Sequence, residues 1–390
     1  MITVEEALAR VFALVAPLDT EEVALAEAAG RVLARPVTAT RTQPPFAASA
    51  MDGYAVRAAD AAPGARLSVV GTAAAGHGFA GIIGPGQAAR IFTGAPLPEG
   101  ADRVVIQENV QAEGATITLG GTADAPSNVR AAGSDFEVGE SVAAPRRLRA
   151  ADLALMAAMN LPTLPVTRKP EVALIATGDE LVMPGEAPGP DQIIASNAFG
   201  LKAMVEAAGG TARILPIARD TMASLKTVFG LAEGADLVVT IGGASVGDHD
   251  LVAQAAAELG MEQAFYKVAM RPGKPLMAGR LGTAAMIGLP GNPVSALVCG
   301  HIFLIPAIRK MLGLGEAPAP RREGVLAADV AANGPREHYV RARLTEAGLV
   351  PFDSQDSALL SILSEARALV IRPPGDGPRR AGERVQYLPL

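Results

Sequence analysis

Four runs in the second half of the chain, "EVALIAT" (171–177), "ARILPI" (212–217), "DLVVTI" (236–241) and "AAMIGL" (284–289), are short, almost wholly apolar and bounded by Gly, Asp or Pro. Runs of that kind suit strands covered on both faces rather than amphipathic ones. Helix-like stretches separate them: "SNAFGLKAMVEAAGG", "TMASLKTVFGLAEG" and "DLVAQAAAELG". The alternation predicts a doubly wound, parallel α/β domain over 169–318, with ligands held beyond the carboxyl ends of the strands.

The flanking segments differ in texture. Residues 1–40 read as a helix opened by a Thr3/Glu6 capping box, a short strand in "EEVALA" and a second helix near "AAGRVLA". From 41 to 139, short β-like runs broken by Gly and Pro predict an inserted β-rich domain. A helical patch at 149–161 is expected to rejoin the N-terminal helices, so that 1–40 and 140–168 form one small helical or mixed domain. Residues 319–390 read as a small C-terminal β domain. The expected fold class is therefore α/β and β multidomain.

Each predicted strand of the α/β domain ends in a suggestive loop: "TGDEL", "ARD", "GGASVGDHD" and "PGNPVS". Parallel geometry brings all of them to one rim. Glycines such as Gly242, Gly243, Gly247 and Gly291 let backbone N–H groups approach an anion closely. Carboxylates at the same rim, Glu180, Asp220 and Asp250 among them, would repel a phosphate unless a hard cation such as Mg²⁺ lies between. The pattern predicts a phosphate ester bound through a metal. The stretch "YKVAMRPGKP" adds Lys267, Arg271 and Lys274 where a strand runs into a turn, a candidate oxyanion clamp.

Other chemistries are poorly supported. "GTAAAGHG" has the glycine spacing of a P-loop, but His77 and Gly78 stand where Lys and Ser/Thr are needed. The four histidines are scattered and the single cysteine, Cys299, lies in an apolar run, so no zinc spacing or disulfide is available. A net charge of −6 and the absence of tryptophan argue against nucleic acid. The apolar run from Val294 to Ile308 falls short of the ~20 residues of a membrane span, and the start of the chain lacks a signal-peptide pattern. A cytoplasmic protein without a membrane partner is expected.

Six stretches, "PPFAASAMDGYAVR", "RIFTGAPLPEGADRVVIQE", "ALIATGDEL", "GGASVGDHD", "KVAMRPGKPLMAG" and "GLPGNPVSA", resemble the MoeA-type molybdopterin molybdenumtransferases in sequence and order. That family includes the C-terminal domain of gephyrin. The resemblance implies a molybdopterin-binding type of α/β domain, a homodimer, and insertion of molybdenum from molybdate into adenylylated molybdopterin with Mg²⁺-dependent release of AMP. It also implies the molybdopterin adenylyltransferase as a candidate partner. Carried over by position, the catalytic set it implies is Asp52, Thr93, Glu180, Asp220, Asp250, Lys267, Arg271 and Lys274, with Glu180 and Asp250 toward the metal. The pterin and nucleotide set is Gly242, Gly243, Ser245, Gly247, Pro290, Gly291, Asn292, Pro293 and Ser357.

The chain departs from the family pattern in places. Arg271 replaces the usual lysine, exchanging a point donor for a planar fork, and Ala244 stands where valine is common. Two alternatives stay open at this level. One is a molybdopterin adenylyltransferase, which the long insertion and the last domain fit poorly. The other is a non-enzymatic dimeric scaffold of the gephyrin type, which would not need Asp52 and Glu180.

Overall fold

The computed structural model describes residues 1–120, 126–243 and 251–390. Among them a sheet of six strands forms the centre of the α/β body, in the order Thr211–Ile214, Glu171–Ala176, Leu237–Ile241, Ala284–Leu289, Met277–Leu281, Glu262–Tyr266. The first four run parallel, as their sequence pattern predicts. The last two are antiparallel additions, so the sheet is mixed rather than all-parallel. The strand expected over 212–217 stops at Ile214. Pro216 has no N–H for a ladder; Leu215 N–H still donates to the Leu174 carbonyl at 2.9 Å, and beyond the proline the pairing resumes only as an isolated bridge between Ala218 and Thr177.

The central strands are buried along nearly their whole length because helices cover both faces. Alternate side chains divide between two cores. Val172, Leu174, Val239 and Ile287 face the helix Asn197–Ala208 and the long helix beginning at Pro293. Ala173, Ile175, Val238 and Met286 face Met222–Gly230 and Leu251–Glu258. This period-two split is what a strand clothed on both sides requires.

The N-terminal helix Val4–Leu14 opens with the expected capping box, Glu6 N–H donating to Thr3 Oγ1 at 3.1 Å and Thr3 N–H to Glu6 Oε2 at 2.9 Å. Its apolar face, with Val4, Leu8, Val11 and Phe12, packs into the α/β core rather than onto its sequence neighbours. The second helix expected near Gly30 does not form. Gly30 turns the chain at φ +72° and Val32–Leu33 enters a four-stranded sheet with Thr20–Ala24, Thr163–Thr167 and Arg146–Arg147. The helix Ala150–Ala158 lies on that sheet. Between the two halves sits the insertion, whose sheet runs Arg103–Ile106, Gly53–Val56, Gln87–Ile91, Arg66–Ala73, Thr116–Leu119, Val110–Glu113.

The C-terminal sheet is joined to the α/β body by backbone pairing. Met270–Arg271 lies parallel to the start of Glu337–Thr345, with Arg271 opposite His338. Ala368–Arg372, Arg384–Pro389 and Arg322–Val325 continue the sheet, and Gly348–Pro351 pairs with the other end of Glu337–Thr345. One helix among the described residues, Pro293–Met311, is 19 residues long and apolar enough to cross a membrane by length and composition. By sequence the apolar run covers only 294–308, short of a span. A π-helical turn at Gly300–Leu304 carries it through to Pro306, and most of it is buried in the α/β core.

The "RPGKP" turn rests directly on that helix. Gly273 has φ +106°, and a Cβ there would collide with the buried Cys299 sulfur. Gly273→Ala should therefore destabilise the chain by about 1–3 kcal/mol, through overpacking and left-handed strain. Urea unfolding would show this as a lower midpoint at unchanged slope.

Candidate functional site

The ends of the parallel strands meet as expected. Thr177 N–H donates to the Ile241 carbonyl at 3.0 Å, Gly178 N–H to Ala218 at 3.1 Å, and Gly242 N–H to Leu289 at 3.1 Å. Each bond ties one strand-end loop to its neighbour. Glycine is needed where these loops touch most closely. Gly242 (φ +97°) faces the Thr177 carbonyl and Gly243 (φ +68°) faces Val252, with no room for a side chain at either. A Cβ on Gly291 would meet the Gly242 Cα only at an ordinary contact of 3.4 Å, so that position does not itself demand glycine.

Around this junction lies a cavity of about 600 Å³. Its wall includes Gly178, Glu180, Asp220, Gly242, Gly243 and the Pro290–Pro293 loop. Two anchors hold the wall. Asn197 Nδ2 donates to the Gly291 carbonyl at 2.7 Å. The Arg219 Nη1 group lies within hydrogen-bonding reach of three carbonyls, those of Gly178 (3.3 Å), Asp179 (3.0 Å) and Leu181 (3.0 Å), so it clamps the loop that carries Glu180. Arg219 was not singled out in the sequence, because no local pattern tells a clamping arginine from a solvated one.

A second cavity, of about 550 Å³, adjoins the first and shares Pro275 and Asn292 with it. It is lined by Arg271, Lys274 and Ser357, all expected, and by Ser295, Arg336 and Gln355, which were not. Ser357 is placed by two bonds: its carbonyl accepts from Val294 N–H at 3.1 Å, and its hydroxyl accepts from Asn292 Nδ2 at 3.0 Å. Arg336 arrives from the C-terminal domain, where the pairing with Met270–Arg271 sets it next to the turn.

Other expected residues lie elsewhere. Lys267 lines neither cavity; it adopts φ +73° and carries its ammonium 5.0 Å from the Tyr266 ring centre. Asp52 and Thr93 sit in the insertion and also line neither. They form a unit of their own, in which Asp52 Oδ1 accepts from both Thr93 N–H and Thr93 Oγ1 at 2.7 Å. Those bonds, with Arg90 nearby, hold the Asp52 carboxyl below the usual range. Ser245, Gly247 and Asp250 lie outside the described residues. No group of three or more His, Cys, Asp or Glu side chains that could hold a metal occurs among the described residues.

The lining of the second cavity carries three cations, Arg271, Lys274 and Arg336, and one carboxylate, Asp356, while His338 lies opposite Arg271 in the adjoining strand pair. His338 is pushed down to about 4, chiefly by burial and then by Arg271, Arg372, Arg336 and Arg341 around it. The unfolded chain takes up a proton near pH 6.5 that the folded chain refuses until about pH 4. Folding stability should therefore fall as pH drops through that window. Replacing His338 by Gln should flatten the slope, as read from urea unfolding at pH 7, 6 and 5.

Comparison with known proteins finds relatives along the whole chain. Residues 2–160 match the MoeA N-terminal region (domain I and II), 173–310 the probable molybdopterin binding domain, and 323–390 the MoeA C-terminal region (domain IV). The chain is 37% identical to a molybdopterin molybdenumtransferase of Nostoc sp., over 95% of this chain and 89% of that one. It is 34% identical to the enzyme of that name from Haemophilus influenzae, over 100% and 99%. A solved molybdopterin biosynthesis MoeA protein from Pyrococcus horikosii superposes with a TM-score of 0.86 at 31% identity, covering 100% of this chain and 99% of that one. A chain matched from end to end in this way, with its loops gathered at one rim, belongs to the molybdopterin molybdenumtransferase family.

Proposed function

We propose that the protein inserts molybdenum from molybdate into adenylylated molybdopterin, with Mg²⁺-dependent release of AMP. The observation that carries this reading is the pair of adjoining cavities. One has glycine walls and carboxylates; the other is lined by three cations against one carboxylate, Asp356, with the hydroxyls of Ser295 and Ser357, and Pro275 and Asn292 belong to both. A phosphoanhydride fits the first, because Gly242, Gly243 and Gly291 present backbone without side chains. A tetrahedral oxyanion fits the second, where Arg271, Lys274 and Arg336 supply charge and Ser357 a hydroxyl. In this reading two Mo–S bonds form at the pterin dithiolene as one Mo–O bond of molybdate breaks, the oxide leaving as water with the two thiol protons, while another water hydrolyses the phosphoanhydride and AMP leaves.

The exposed carboxylates of Glu180 and Asp220 share the first cavity and are hard oxygen donors, which suits Mg²⁺. We assign Glu180 and Asp250 as its first candidates, with Asp220 beside them. Bound there, the ion would offset phosphate charge. The residues themselves orient the substrate: Asn197 fixes the Gly291 backbone, and Arg219 fixes the loop bearing Glu180. The molybdopterin adenylyltransferase is the proposed source of the substrate.

Two variants should separate the cavities. Lys274→Ala should raise the KM for molybdate about tenfold or more, the loss of one charge-assisted contact, with little change in pterin affinity. Glu180→Gln should slow Mg²⁺-dependent AMP release at an unchanged fold. Loss of pterin binding in Lys274→Ala, with molybdate saturation unaltered, would assign the clamp to the nucleotide instead.

Asp52 and Thr93 are apart from both cavities, so we further propose a two-fold dimer in which the insertion of one subunit serves the rim of its partner. Mixing Asp52→Asn with Glu180→Gln subunits tests this. A composite arrangement gives the heterodimer one doubly damaged site and one intact site, so activity returns. A verified heterodimer that stays inactive would show that each site is built within one chain.

A further inference from the structure

A buried charge behind the oxyanion cavity has no carboxylate bonded to it. Arg341, in the strand Glu337–Thr345, is 1% exposed, and among the described residues its side chain makes no ion pair. Its acceptors are all neutral: Gln355 Oε1 from Nε at 3.4 Å, the Leu359 carbonyl from Nη1 at 3.3 Å and the Ser354 carbonyl from Nη2 at 3.5 Å. Arg372 in the adjacent strand is equally buried but is paired with Asp376. Burial lowers the Arg341 pKa, and only the more distant Asp356 carboxylate opposes this. Burying a charge without a bonded counter-ion is expensive, and an apolar side chain of similar volume would normally serve stability as well or better.

The three acceptors share one feature. All belong to residues 354–359, the strap whose Gln355, Asp356 and Ser357 form one wall of the cavity. Gln355 is fully engaged on the far side, its Oε1 accepting Arg341 N–H at 2.9 Å and its Nε2 donating to the carbonyls of Arg341 (3.1 Å) and Phe352 (2.9 Å). Ser357 is held on the near side by Asn292 and Val294. A rigid guanidinium fork can reach several oxygens in an irregular segment at once, which an ammonium cannot.

We propose that Arg341 is a positioning residue for the oxyanion: it pins the 354–359 strap from behind, so that Ser357 and Gln355 stand at fixed places in the wall. The inference rests on the reading of that cavity as the molybdate subsite. It assigns the buried charge to substrate geometry rather than to folding.

The test measures molybdate binding by calorimetry, KM for molybdate and for the pterin, and thermal unfolding. The proteins are wild type, Arg341→Met, Arg341→Lys, Gln355→Met and Lys274→Ala. Arg341→Met should fold with an unchanged or raised Tm, lose molybdate affinity about tenfold and keep its pterin KM. Arg341→Lys should not restore molybdate affinity, because charge without the fork leaves the strap unpinned. If Arg341→Met fails to fold, Gln355→Met, which leaves the guanidinium in place, should show the same selective loss. Wild-type molybdate affinity in the folded variant would overturn the proposal, as would a lowered Tm with equal losses of molybdate and pterin. If Lys274→Ala alone loses molybdate, the subsite reading stands and the role of Arg341 falls. If wild type binds no molybdate, or Lys274→Ala binds it normally, the subsite reading falls and takes this proposal with it.

Discussion

The register between three buried strands is the constraint from which the site follows. Ala176 lies opposite Ile241, and Ile241 opposite Leu289, so the residues after each strand emerge at the same height. Neither end can slip without turning apolar side chains out of the two cores. The hydrogen bonds of Thr177 and Gly242 extend the same ladder by one residue into the loops. The cavity is therefore the continuation of the sheet, and Gly242 and Gly243 are forced by how closely those continuations pass.

The second cavity has a different origin. It exists because Met270–Arg271 leaves the α/β body and pairs with a strand of the C-terminal domain. That pairing sets Arg271 beside His338 and brings in Arg336, while the 354–359 strap closes the far wall. Such an accumulation of cations opposes folding. Part of it is offset locally, as Asp376 does for Arg372. His338, buried among four arginines, is pushed down by burial first and by their charge second. In the proposed reading, preorganisation toward an oxyanion and loss of stability are two sides of one arrangement.

Much of this was legible from particular residues. Uniform apolar runs identified the strands 171–176 and 284–289, since a strand buried on both faces leaves no other pattern. Glycine pairs followed by carboxylates marked the rim, and "RPGKP" marked a cationic turn. Less legible was anything decided by partners far off in the chain. Near Gly30 the composition favours a helix, but pairing with Thr163–Thr167 and Arg146–Arg147 makes Val32–Leu33 a strand. Lys267 has the charge and spacing of a clamp residue, yet the backbone turns it onto Tyr266.

What the sequence by itself determined is the chemistry and order of the strand-end loops, because turns, glycines and strand ends are local properties of the chain. What only the tertiary structure decided is which charges share a cavity. Arg271 and Arg336, 65 residues apart (336 − 271), meet through one parallel β-pair. Arg341 looks like any surface arginine in an alternating strand until the strap folds over it. Burial and counter-ions depend on distant segments converging, and no short window of sequence carries that information.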